Sequence, residues 1–212
     1  MTGRKGGSPL YRWVTFSIIA AASLLLFDEA RGESVEFHDT KGSIVGRGDN
    51  YVVRLLDTPE RGLKAVEALF FVKAPPHVCR NVITDYDHYP EFIPNIVGSK
   101  KIDRSPLSAT YRFSLSLALW EIEYTLLLKE STTEHGGYSI AWDYIDGDIR
   151  ETTGAWEIEG WGDEKAASLI RYRVRVDPGR LVPNWVANRL SAGSVPDMID
   201  AIRERAREKQ YY

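Results

Sequence analysis

Three polar residues near the middle of the chain lie close enough together in sequence to suggest chemistry. Asp85, Asp87 and His88 offer two carboxylates and an imidazole, the groups used in metal sites and in acid–base pairs. No further ligand follows at a spacing typical of a metal site. Acidic residues between two helical segments are also typical of a helix cap, and we favour that interpretation. The sequence therefore predicts no metal ion here.

The remaining histidines and the single cysteine give no catalytic pattern. His38, His77 and His135 have no Ser, Cys or carboxylate partner at a recognisable spacing. Cys79 is the only cysteine, so an intramolecular disulfide is excluded, and its apolar neighbours indicate a buried thiol. We predict no catalytic residue and no cofactor.

Composition places the chain among globular proteins. Hydrophobic residues make up 43% of the 212 residues and charged residues 27%, with a net charge of -3. No run of Lys and Arg occurs in the body of the chain, so we expect no nucleic-acid partner.

The N-terminus has the three parts of an export signal. Basic residues up to Arg12 precede an apolar stretch, 13–27, and small residues follow at Ala30 and Gly32. We predict a signal peptide over 1–32 and a periplasmic or secreted protein. The alternative is an uncleaved N-terminal anchor, which would also leave the body of the chain outside the cytoplasm.

The rest of the chain divides into a short extension and one domain. Glycine-broken alternating segments between 33 and 62 predict an N-terminal extension or an edge hairpin. The segment 63–209 has the length of one ordinary domain. We therefore expect a single hydrophobic core.

Alternation with a period of two dominates this domain. Apolar residues occupy every second position in 111–119, 122–128, 138–144 and 170–176, with polar residues between them. Each strand therefore has one apolar and one polar face. We predict an α+β fold with a curved antiparallel sheet of about six to seven strands.

Two kinds of helix accompany the predicted sheet. After the first full strand, which ends near Lys73, the segment between Pro75 and Pro94 predicts two short helices. A long C-terminal helix is predicted from Pro183 to Ala206, kinked or broken near Pro196.

One long helix cannot fill the concave side of such a sheet, so we predict a cavity. Its predicted lining combines aromatic side chains with two polar candidates for orienting a ligand: Phe113, Tyr124, Trp142, Tyr144, Trp156, Tyr172, Arg150 and Thr152. Phe92 and Ile93, beside prolines, are the predicted portal.

Four stretches resemble a known superfamily. They are 71–76 (FVKAPP), 84–94 (TDYDHYPEFIP), 154–158 (GAWEI), and 172–179 (YRVRVDPG) leading to 182–185 (VPNW). The resemblance is to START-like, or Bet v 1-like, helix-grip proteins (SRPBCC), in the polyketide cyclase/dehydrase and coenzyme Q-binding branch. It implies a sheet wrapped around the long C-terminal helix.

From these residues and this resemblance we expect a binding protein or carrier. Its ligand would be apolar, such as a lipid, an isoprenoid quinone or a polyketide-like molecule, and its partners would include transient contact with a membrane. A cyclase/dehydrase-type enzyme is one alternative, which would require a proton-transfer pair in the cavity. A protein-binding regulator is another.

Overall fold

Nine antiparallel strands form one continuous sheet in the computed structural model, which describes residues 43–57, 64–117, 120–162, 165–179 and 184–212. The predicted signal peptide lies outside these residues, as do the first part of the predicted extension and residues 58–63. Residues from 43 onward belong to one compact unit.

The strands follow the alternating segments of the sequence closely. They are β1 (Ser43–Gly48), β2 (Tyr51–Asp57), β3 (Lys64–Val72), β4 (Ile96–Arg104), β5 (Ser108–Leu117), β6 (Trp120–Thr132), β7 (Tyr138–Gly147), β8 (Glu151–Trp161) and β9 (Ala167–Asp177).

The α+β fold is confirmed, but the predicted strand number was too low. Across the sheet the order is β1-β2-β3-β9-β8-β7-β6-β5-β4, with every neighbouring pair antiparallel. The count of six to seven strands did not include the hairpin β1–β2, which the sequence predicted only as an extension or an edge hairpin between 33 and 62. This hairpin extends the sheet through pairing of β2 with β3.

Helices lie at both ends of the main meander. Between β3 and β4 come α1 (Pro76–Ile83), a 3-10 turn (Tyr86–His88) and α2 (Tyr89–Phe92). The long helix α3 (Asn184–Arg205) follows β9 and continues past Pro196 as one element, so the helix is not broken there. Among the described helices, none combines the length and the hydropathy needed to cross a membrane.

The core lies between α1, α3 and the apolar face of the sheet. Trp142 and Trp156 are each only 7% exposed, which confirms that the aromatic residues of the meander point inward. The opposite face carries ion pairs between neighbouring strands. Arg173 Nε, for example, lies 2.6 Å from Glu67 Oε2.

A glycine in β8 allows the aromatic residues to pack flat against the sheet. Gly154 pairs with Trp142 on β7 and with Val174 on β9. A Cβ at Gly154 would lie 2.2 Å from a ring carbon of Trp142 and 2.2 Å from the carbonyl oxygen of Arg173. The indole therefore occupies space that any other residue at this position would need.

We expect Gly154→Ala to destabilise the protein by about 2 kcal/mol, because overpacking forces both the indole and the backbone to move. The control is Gly193→Ala in α3, where no atom lies within 4 Å of the added Cβ and helix propensity favours alanine by about 1 kcal/mol. Urea unfolding measures both. Equal stability of Gly154→Ala and the wild type would contradict this packing.

Candidate functional site

A cavity of about 230 Å³ lies between the concave face of the sheet and α3. Strands β5 to β9 supply most of its walls, and α3 covers it with Ser194, Val195 and Met198. The cavity is present because the sheet presents more apolar surface than one helix can cover.

Three aromatic residues in mutual contact form one wall. The ring of Tyr172 lies 4.2 Å from that of Trp156 and 5.9 Å from that of Trp142, measured between centroids. These residues come from β9, β8 and β7, so the cluster spans three adjacent strands. It offers a broad, polarisable surface of the kind that binds flat or flexible apolar molecules.

A second aromatic group forms the facing part of the lining. Phe113 on β5 lies 6.0 Å from Tyr124 on β6 and 5.7 Å from Tyr89 on α2. The Tyr89 hydroxyl donates a hydrogen bond of 2.6 Å to the carbonyl oxygen of Ile83, which fixes this ring. The two aromatic groups therefore hold the cavity open with rigid side chains.

The structure brings six of the eight predicted lining residues to the cavity wall. They are Phe113, Tyr124, Trp142, Thr152, Trp156 and Tyr172. Their presence in the wall follows from strand alternation. Their contribution to ligand binding stays a prediction.

Arg150 and Tyr144 do not line the cavity. Arg150 precedes β8, so the alternation of that strand does not extend to it; its exposed guanidinium lies 2.9 Å from Asp177 Oδ2. The Tyr144 hydroxyl donates to the carbonyl oxygens of Gly147 and Ile149, at 3.0 and 2.7 Å. Both polar groups therefore stabilise the end of the β7–β8 hairpin.

The loop after α2 contributes to the cavity lining, and its role as the portal stays a prediction. Ile93, Pro94 and the exposed Asn95 border the cavity, as Ile93 was predicted to do. Phe92 does not reach it. Its ring packs on Tyr89 at 5.6 Å and lies beneath the guanidinium of Arg205 at 5.1 Å.

Aliphatic residues that the sequence analysis did not single out complete the lining. They include Leu115, Ile122, Leu126, Leu128, Ile149, Val174, Val176 and Met198. The aliphatic residues on strands follow the same two-residue alternation as the aromatic residues. This pattern would have identified them. Val195 and Met198 face the cavity from a helix, where the period-two pattern gives no signal.

Asp85 and His88 form an anchor for the C-terminus, and the predicted helix cap was wrong. The Asp85 carboxylate makes no cap hydrogen bond. It accepts a hydrogen bond from the Tyr211 hydroxyl and lies 2.6 Å from His88 Nδ1, and this interaction raises the pKa of His88. Asp87 instead accepts a hydrogen bond of 3.1 Å from the Tyr111 hydroxyl.

This anchor joins the helices before β4 to the end of α3. Arg205 donates to the Tyr211 hydroxyl at 2.8 Å and to Glu91 at 2.9 Å. The same network therefore holds α2, which leads directly into the loop that borders the cavity. Among the described residues, no three His, Cys, Asp or Glu side chains come together as a metal site would require.

The electrostatic character of the cavity is neutral. None of the described residues that line it is Asp, Glu, Lys, Arg or His. Burial raises the pKa of the Tyr124 and Tyr172 phenols, so both remain protonated at physiological pH. Cys79 lies apart from the cavity, and burial raises the pKa of its thiol to about 11, which makes it a poor nucleophile.

Solved structures show the same fold. A STAR-related lipid transfer protein from Xanthomonas axonopodis superimposes with a TM-score of 0.71 at 14% identity, covering 80% of this chain and 100% of that one. Human STARD10 gives 0.68 at 15% identity, covering 82% of this chain and 76% of that one.

An enzyme shares the fold as well. The Zhui aromatase/cyclase of a Streptomyces species superimposes with a TM-score of 0.55 at 14% identity, covering 68% of this chain and 94% of that one. A comparison of the sequence with curated proteins gave no significant match.

The sequence itself matches a family model over more than half of its length. The match covers residues 72–203, from the end of β3 to the last turn of α3, and so includes every strand that lines the cavity. Together with the helix-grip architecture, this match shows that the chain belongs to the polyketide cyclase/dehydrase and lipid transport family of START-like proteins.

Proposed function

We propose that the protein binds and carries an apolar small molecule in its cavity without transforming it. The observation that supports this most directly is an interior space lined mainly by aromatic and aliphatic side chains from six strands, β4 to β9, and from α3. Burial of apolar ligand surface there supplies the binding free energy, about 25 cal/mol per Å².

The volume of the cavity limits what can be enclosed. A cavity of about 150 Å³ in another protein holds one benzene molecule. The 230 Å³ found here would enclose a fused pair of rings or a short chain. A long acyl or isoprenoid chain would have to extend through the predicted portal beside Ile93 and Pro94. Contact of that portal with a membrane during loading is part of the proposal.

The cyclase alternative has support from the fold shared with an aromatase/cyclase. Such chemistry needs groups that exchange protons with a bound substrate. The titratable side chains in the described lining are Tyr89, Tyr124 and Tyr172, and burial raises the pKa of each. Phenols with raised pKa are weak acids, which favours the carrier over the enzyme.

The binding test uses N-phenyl-1-naphthylamine, a neutral probe that fluoresces in apolar surroundings. We expect one saturable site per chain. Trp142→Ala should weaken binding about fivefold, because an aromatic contact contributes about 1 kcal/mol. Val174→Phe, which adds volume inside the cavity, should weaken it further.

Trp161→Ala is the matched control. Its ring packs on Phe71 at 6.3 Å and does not line the cavity, so binding should equal that of the wild type. Unchanged affinity in both Trp142→Ala and Val174→Phe would place the probe elsewhere and contradict the proposal. Conversion of a bound polyketide or lipid into a new product would favour the enzyme.

Location outside the cytoplasm is also proposed. It rests on the basic, apolar and small-residue succession of 1–32, which lies outside the described residues. N-terminal sequencing of the natural protein should give a chain that begins at Glu33. A cytoplasmic protein that still begins at Met1 would contradict this part of the proposal.

A further inference from the structure

Two hydroxyl groups in the cavity wall have no hydrogen-bonding partner among the described residues. Tyr124 and Tyr172 both line the cavity, and neither hydroxyl makes a hydrogen bond to the described part of the chain. A ligand that fills the cavity would displace water from these hydroxyls, and a hydroxyl that loses water without gaining another partner is destabilising. A bound molecule is therefore a natural partner for both.

Both rings belong to the cavity wall and are held there by neighbouring aromatic rings. Both side chains line the cavity and are half-buried. Neighbouring rings fix each of them: Trp156 at 4.2 Å from Tyr172, and Phe113 at 6.0 Å from Tyr124.

We propose that the Tyr124 and Tyr172 hydroxyls recognise an uncharged oxygen acceptor, such as a ketone, ester or quinone carbonyl, on an otherwise apolar ligand. The inference rests on the proposed binding function and specifies its ligand class. A carbonyl oxygen has two lone pairs and accepts hydrogen bonds from such donors. Thr152, which is 4% exposed and also lines the cavity, supplies a third hydroxyl.

The same lining selects against ionised ligands. A carboxylate or phosphate needs a cationic partner when it leaves water, and the described lining provides none. A phenol that stays protonated offers one donor, which satisfies a neutral carbonyl better than it satisfies a full negative charge. The ligand class is therefore neutral and oxygen-bearing.

The test compares three probes of nearly equal shape: 2-acetylnaphthalene, the hydrocarbon 2-isopropenylnaphthalene and 2-naphthoate. Calorimetric titration of the full chain should show the ketone binding about tenfold more tightly than the hydrocarbon. Tyr124→Phe and Tyr172→Phe should each reduce that advantage roughly threefold. Affinity for the hydrocarbon should not fall in either variant, because a hydroxyl without a partner is removed, and retained hydrocarbon binding also shows that they fold. The naphthoate should bind more weakly than the ketone.

Tyr138→Phe is the control, because this tyrosine is also half-buried on a strand but lies outside the cavity wall. It should retain the full preference for the ketone. Equal binding of ketone and hydrocarbon by the wild type, or tighter binding of the naphthoate, overturns the inference while leaving an apolar binding cavity. If the wild type binds none of the three probes, the proposed function fails as well.

Discussion

The apolar face of the nine-stranded sheet is larger than the area that one long helix can cover, and this difference determines the rest of the structure. Every strand from β5 to β9 presents an apolar face to the same side, and α3 can cover only part of that surface. Small aliphatic residues alone would let the walls collapse into the space. Stacked aromatic rings prevent this, since they are rigid and are supported by neighbouring rings on adjacent strands. The cavity is thus a consequence of the architecture rather than a local defect in packing.

The sequence predicted the inner face of the sheet well because alternation is a local property. Trp142, Trp156 and Tyr172 could be placed from parity within single strands. Two-residue alternation holds only within a strand. Arg150 lies one residue before β8, and this is why it was wrongly assigned to the cavity. Tyr144 has the right parity, but its hydroxyl bonds within the hairpin turn, a contact that no pattern reveals.

Contacts between residues far apart in the sequence could not be predicted, for a related reason. The Asp85 carboxylate looked like a cap because its neighbours in sequence form helices, whereas its partner Tyr211 comes from the far end of the chain. The hairpin β1–β2 was one of two alternatives for 33–62, and only its pairing with β3 shows that it is part of the sheet. Such features depend on which elements the fold brings together, and local propensity carries little information about them.

Native mass spectrometry of the protein purified from the cells that make it tests the account most directly. Our account predicts one uncharged, apolar, oxygen-containing molecule per chain, lost when Val174→Phe fills the cavity. A protein that carries no small molecule, or a Val174→Phe variant that retains the same molecule at full occupancy, would contradict the claim that this cavity is the functional site.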